Sequence, residues 1–170
     1  DFEVVDWDIH PADNRLYVAT SNQVLTVDAN NDPWVVDIFD GIEPTALEVD
    51  AINGRLLVAT ADDIIHSFSA EDTTYLGQLP SHGQDPAKVL EVDSSGILHA
   101  ATDCHLYIES PTGWQDVTFS TSTGSSAQGP CVDGQSEEIV IPTDIHFIGN
   151  EVFIGTQDHG ISVWDGSSYT

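Results

Sequence analysis

The chain has 170 residues, 40% of them hydrophobic, with 29 acidic side chains against three basic ones and a formal charge of −26. Length and apolar content allow one domain with a real core, while no apolar run approaches the roughly 18 residues that a membrane-spanning helix needs. Nucleic acid and anionic membrane are excluded as direct partners, because both need positive surface and only Arg15, Arg55 and Lys88 supply any.

In chain order, the alternating segment WDIH (7–10) leads through a short turn to NRLYVAT (14–20), then to QVLTVD (23–28) and WVVDIF (34–39). The series returns as LEVD (47–50), GRLLVAT (54–60), DIIHSF (63–68) and TTYLGQL (73–79). It returns again as LEVD (90–93), ILHAAT (97–102), HLYIES (105–110) and QDVTFS (115–120), and a last time as TDIH (143–146), EVFIGT (151–156) and GISVWD (160–165). The closing threonines, Thr20, Thr60, Thr102 and Thr156, stand 40, 42 and 54 residues apart, the last interval stretched by an insertion at 121–140. Repetition at this period signals a repeat architecture. Each segment is rich in β-branched and aromatic residues and bounded by Asn, Asp, Gly or Pro, which predicts strands, here lettered a to d within each repeat. Strand b is apolar at consecutive positions (Leu16, Tyr17, Val18, Ala19), as expected when both faces of a strand are covered. Four-stranded sheets repeated about an axis cover both faces of their inner strands, so the expected fold is all-β, a small β-propeller of four blades with up to four antiparallel strands each.

The stretch DIHPADNRLYVATSNQVLTVD is similar to the repeats of bacterial surface-layer and NHL-like propellers, and VLEVDSSGILHAAT and IGTQDHGISVWDG resemble propeller repeats of the two-component-regulator type. The resemblance implies the propeller fold; those families include sensors, adhesins, enzymes and scaffolds, so it does not choose a function. The expected blades are 4–40, 44–80, 88–120 and 141–170 in a single domain. The competing reading is a piece of a larger ring of six to eight blades. A chain that begins at Asp1, contains no Met and shows no signal peptide reads as a processed product or an excised fragment.

After GISVWD only GSSYT remains for a fourth strand, and the gapless match of residues 4–20 to 44–60 carries Val4 and Val5 straight into strand a. Blade four is therefore expected to keep an open edge, and an open edge presents unpaired backbone groups to another chain. Self-association through the termini, with Phe2, Val4 and Tyr169 as contact residues, follows as an expectation, building a polymer if the contacts do not close.

An acidic surface attracts cations, and the 20 Asp side chains suit oxygen-ligand Ca²⁺ sites. Adaptation to a salty habitat accounts for the same composition. Aligning the repeats superposes Asp8, Glu48, Glu91 and Asp144 in strand a, and two residues later His10, Asp50, Asp93 and His146. Residues i and i+2 share a strand face, so one carboxylate per blade is expected near the axis. Four such charges converging without a cation are costly. Alternatively these acids are solvated at the channel mouth, with Asp50 and Asp93 stabilising the a–b turns. Asp28-x-Asn30-x-Asp32 has the spacing of the opening half of a calcium loop, although neither the following Gly nor the closing Glu is present. Asp133, Glu137 and Glu138 gather in the insertion.

Cys104 in the b–c turn of blade three and Cys131 in the insertion are placed to form a disulfide, pointing to an oxidising, extracellular setting; two unrelated thiols is the alternative. No linear catalytic motif is present. His99 shares its position with Tyr17, Leu57 and Phe153 and is expected in the core with a satisfied nitrogen. Trp7, Trp34, Trp114 and Trp164 are expected as packing anchors. Two functions survive: a non-enzymatic extracellular structural or adhesive propeller that binds calcium and self-assembles, and a ligand-binding or sensory propeller module.

Overall fold

The computed structural model describes residues 3–27, 33–36, 43–83, 85–103, 105–118, 141–157 and 160–166. All of its regular structure is strand. Blade 1 comprises β1 (Val4–His10), β2 (Arg15–Thr20), β3 (Gln23–Val27) and β4 (Pro33–Val36); blade 2 comprises β5 (Pro44–Asp50), β6 (Arg55–Thr60), β7 (Ile65–Ser69) and β8 (Tyr75–Gln78). Blade 3 comprises β9 (Val89–Val92), β10 (Leu98–Ala101), β11 (His105–Ser110) and β12 (Gly113–Thr118), and blade 4 comprises β13 (Pro142–Ile148), β14 (Glu151–Thr156) and β15 (Gly160–Trp164). Every neighbouring pair is antiparallel and consecutive in sequence. Strands a to d of the repeat are the four strands of blades 1 to 3, and strands a to c are the three of blade 4 among the described residues, which makes the four antiparallel propeller blades expected.

The duplicated turn chemistry explains the echo between repeats. Before strand b the chain must reverse through a left-handed residue, and Asn14, Gly54, Gly96 and Gly149 supply it, with φ of 56°, 67°, 81° and 65°. Glycine carries no Cβ penalty there and asparagine tolerates the conformation. After strand b the repeated threonine closes the next turn: the hydroxyls of Thr20, Thr60 and Thr156 donate to the carbonyls of Gln23, Ile64 and Gly160 at 2.9–3.0 Å. Thr102 instead accepts from the His105 N–H at 3.2 Å.

Between blades lies apolar packing. Tyr17, Ala19 and Val24 of blade 1 meet Leu47, Val49, Leu56, Val58 and Phe68 of blade 2. Ala46, Leu57, Ala59 and Ile65 of blade 2 meet Leu90, Leu98, Ala100 and Tyr107 of blade 3. Ala101 and Leu106 of blade 3 meet Ile145, Val152 and Ile154 of blade 4. Alternate residues of each inner strand thus face opposite neighbours, as the strand period demands. The buried Tyr17 hydroxyl crosses the first of these layers to the Ala70 carbonyl at 2.6 Å. Tyr17→Phe is expected to cost about 0.5–1.5 kcal/mol, measurable by urea denaturation.

Inner strands pack side by side from β1 to β5, β5 to β9 and β9 to β13, and no comparably extensive contact joins β13 to β1. Trp7 registers the difference. Expected as a packing anchor, it is 59% exposed, whereas its repeat equivalent Leu47 is 2% exposed. Trp114 and Trp164 do pack against the cores, and the Trp34 side chain lies outside the described residues.

Candidate functional site at the propeller axis

The inner strand of each blade is a sheet edge, so half of its backbone N–H groups point toward the axis without a ladder partner. Carboxylates of the preceding blade satisfy several of them. Asp6 Oδ2 accepts from the Leu47 N–H at 2.8 Å and Asp8 Oδ2 from the Val49 N–H at 2.8 Å, both crossing from blade 1 to blade 2. Glu48 Oε1 accepts from the Val92 N–H at 3.1 Å, crossing from blade 2 to blade 3. The second oxygens of Asp6 and Asp8 are held by the next residue's own N–H, at 2.8 and 2.7 Å.

These acids also feel one another. Burial first, and then the charges of Glu91 and Asp8, push Glu48 from the ordinary 4.5 up to about 9. Burial, with the charges of Asp144, Asp8 and Asp6, pushes Glu91 up to about 7. Burial likewise raises Asp6, and Asp8 and Asp144 add to it. The quartet Asp8, Glu48, Glu91 and Asp144 is therefore brought together electrostatically, with Asp6 as a fifth member that the repeat alignment misses, because its equivalent in blade 2 is Ala46. At neutral pH Glu48 carries its proton and Glu91 is balanced between forms. Protons on Glu48 and Glu91 and the backbone N–H dipoles both lessen the charge repulsion at the axis. Among the described residues no group of three or more His, Cys, Asp or Glu side chains is arranged to hold a metal ion.

The second register of acids does structural work in the turns. Asp50 is fully buried and accepts from the Asn53 N–H at 2.9 Å, Asn53 Nδ2 at 2.8 Å and Arg55 Nε at 2.8 Å. Arg55 then reaches blade 3, donating to both carboxylate oxygens of Glu109 at 3.2 and 3.0 Å. Asp93 accepts from the N–H groups of Ser95 and Ile97 at 2.8 and 3.0 Å. His10 pairs with Asp13 at 2.8 Å. His99 is a core residue as expected, set edge-on to Phe147; its Nε2 pairs with Asp93 at 3.6 Å, and Nδ1 has no hydrogen-bond partner among the described residues. Burial lowers its pKa, against the raising effect of the neighbouring Asp93 carboxylate.

All three basic residues are tied within the chain. Arg15, the repeat equivalent of Arg55, pairs with Asp13 at 3.1 Å and donates to the Ala70 carbonyl in blade 2 at 3.3 Å; Lys88 pairs with Asp103. Sequence reasoning did not single out these arginines, although both stand first in strand b.

Val4 belongs to β1 and pairs with Thr20 inside its own blade, so that part of the strand-a reading holds. Blade 4 has three strands among the described residues, ending at β15. Phe2, Tyr169, Asp28, Asn30, Asp32, Cys104 and Cys131 lie outside the described residues.

No family model matches the chain, and no curated protein matches it. Solved structures do. One is described as the extracellular domain of a hybrid two component system, BT4673, from B. thetaiotaomicron, at 18% identity and a TM-score of 0.70, covering 94% of this chain and 21% of that one. The β-propeller domain of Cps50 (Swd1) from Myceliophteria thermophila is similar at 14% identity and a TM-score of 0.71, over 98% of this chain and 58% of that domain. The computationally designed Ika4 protein is similar at 16% identity and a TM-score of 0.62, over 95% of this chain and 89% of that one. The chain therefore spans about a fifth of the length of the first of these neighbours. Identities at this level speak to architecture, and the architecture they share with this chain is the β-propeller.

Proposed function

We infer that this chain is a non-enzymatic, extracellular structural module that self-assembles through the faces of its terminal blades. One observation carries the reading: blade 1 leaves Trp7 and Ile9 open on the face where blade 2 buries Leu47 and Val49. A row of large apolar side chains on a strand face that is core in the neighbouring repeat marks an interface without its partner. This differs from the strand addition through Phe2, Val4 and Tyr169 that the chain ends invite. The extracellular setting is supported by the fold shared with an extracellular domain and by the acidic composition. Radical footprinting of Trp7 across a concentration series tests the reading. Labelling is expected to fall as the mass rises above 18.3 kDa. Undiminished labelling at constant mass contradicts it.

Calcium enters this reading as a counter-ion. A formal charge of −26 opposes association, and a divalent cation shared between carboxylates relieves it more effectively than monovalent salt. Calcium at about 1–10 mM, enough to fill sites with the roughly 0.1–1 mM dissociation constants of extracellular modules, is therefore expected to strengthen association beyond NaCl of equal ionic strength. Equal effects of the two salts would leave only general screening.

A second reading, a ligand-binding segment of a sensory propeller, is favoured by a cleft of about 440 Å³ between blades 2 and 3, lined by Asn53, Arg55, Ile97, Glu109 and Pro111.

A further inference from the structure

We propose that the open seam of this propeller is closed by a second copy of the same chain, blade 4 of each copy packing on blade 1 of the other to give a two-fold ring of eight blades. The proposal rests on the self-assembly reading above and adds the partner and the stoichiometry.

The seam faces are the two halves of one repeating interface. Blade 1 presents Trp7 and Ile9, the equivalents of Leu47 and Val49, with Leu16 and Val18 as equivalents of Leu56 and Val58. In the made interface that half packs on Tyr17, Ala19 and Val24. Blade 4 carries the matching half. Strand pairing sets Phe153 opposite His146 and Val163, and Gly155 opposite Asp144 and Ile161, all on the face turned from Ile145 and Ile154. Phe153, Gly155 and Ile161 thereby occupy the places of Tyr17, Ala19 and Val24. Their burial differs as the open seam requires: Val24 is 0% exposed and Ile161 is 66% exposed. Each half is thus built for the other, and within one chain the two do not pack together.

The reason is the angle between blades. Three packed interfaces set how far each blade turns from the last, and among the described residues those three turns do not bring β13 against β1. Four blades that cover 58% of the Swd1 propeller domain correspond to a ring of about seven at that spacing. Adding a second chain gives eight, inside the roughly 4–8 range that propellers occupy. A two-fold axis makes both seams at once and leaves no face unmatched, so assembly stops at two.

The test is sedimentation equilibrium on the intact chain, with Trp7→Glu and Ile161→Glu as variants. Both positions are exposed in the single chain, so each variant keeps its strand signature by circular dichroism. The wild type is expected at twice the 18.3 kDa chain mass, with the dimer strengthened at least several-fold by raising NaCl from 0.05 to 0.5 M, as mutual repulsion is screened. Each variant is expected to be monomeric. An equimolar mixture of the two regains a weaker dimer, because one of its two seams is intact. A wild-type monomer would overturn both this proposal and the self-assembly reading. Open-ended polymers would overturn the two-copy ring alone, as would a dimer indifferent to both substitutions. Monomeric variants that fail to complement each other would also overturn it.

Discussion

Replacing Arg55 by methionine is expected to lower stability by about 3–5 kcal/mol, the cost of removing one partner from a buried ion pair. Asp50 is wholly buried and takes two of its hydrogen bonds from Asn53, but among the described residues its one cationic partner is Arg55. Methionine fills the volume and leaves the carboxylate in place without its cation. The same substitution cuts the fork to Glu109, one of the polar ties between blades 2 and 3. For a domain of this size the melting temperature is expected to fall by roughly 6–20 °C. The double variant Asp50→Asn with Arg55→Met removes both charges and is expected to recover a good part of the loss. A single-variant loss below about 1 kcal/mol would mean that Asn53 and solvent satisfy Asp50 unaided.

Stability is also expected to decline as pH rises from about 5 toward 9. Unfolded, Glu48 and Glu91 ionise near 4.5; folded, they hold their protons to about 9 and about 7. Between those limits the native state binds more protons than the unfolded one, so each rise in pH favours unfolding. The contribution is fully present below 4.5 and lost as pH climbs through the folded values, at up to about 1.4 kcal/mol per pH unit for each retained proton. Glu91 acts over the lower window and Glu48 over the whole of it. Glu48→Gln mimics the protonated acid and keeps an oxygen for the Val92 N–H, so its stability is expected to vary less with pH and to exceed the wild type at pH 8. An unaltered slope in that variant would mean that Glu48 ionises normally in the fold.

The repeat carried most of the architecture, because the features that make a blade are local. A left-handed residue before strand b, a threonine after it and two-sided apolar patterning recur at fixed offsets, and each has a direct structural consequence. The convergence of Asp8, Glu48, Glu91 and Asp144 was legible for the same reason, since superposed residues of a repeat occupy equivalent places about an axis. The backbone partners of their oxygens were not. The unpaired N–H groups of an inner strand belong to the backbone and leave no mark in the sequence, and only the packed blades show that Asp6 and Asp8 lie over Leu47 and Val49. Arg55 was likewise one basic residue among three until its reach across to Glu109 was placed. The open seam was hidden in a different way. Trp7, Leu47 and their equivalents are alike in pattern, and burial distinguishes them only because one has a neighbouring blade and the other does not.

Carbon-13 titration of the glutamate side-chain carboxyls, with Glu48→Gln and Glu91→Gln as assignment controls, reaches the centre of the molecule most directly. The resonance absent from Glu48→Gln is predicted to titrate near pH 9, and the one absent from Glu91→Gln near pH 7. Ordinary midpoints close to 4.5 for both would mean that these side chains stand apart in water, and the convergent acidic axis would have to be given up.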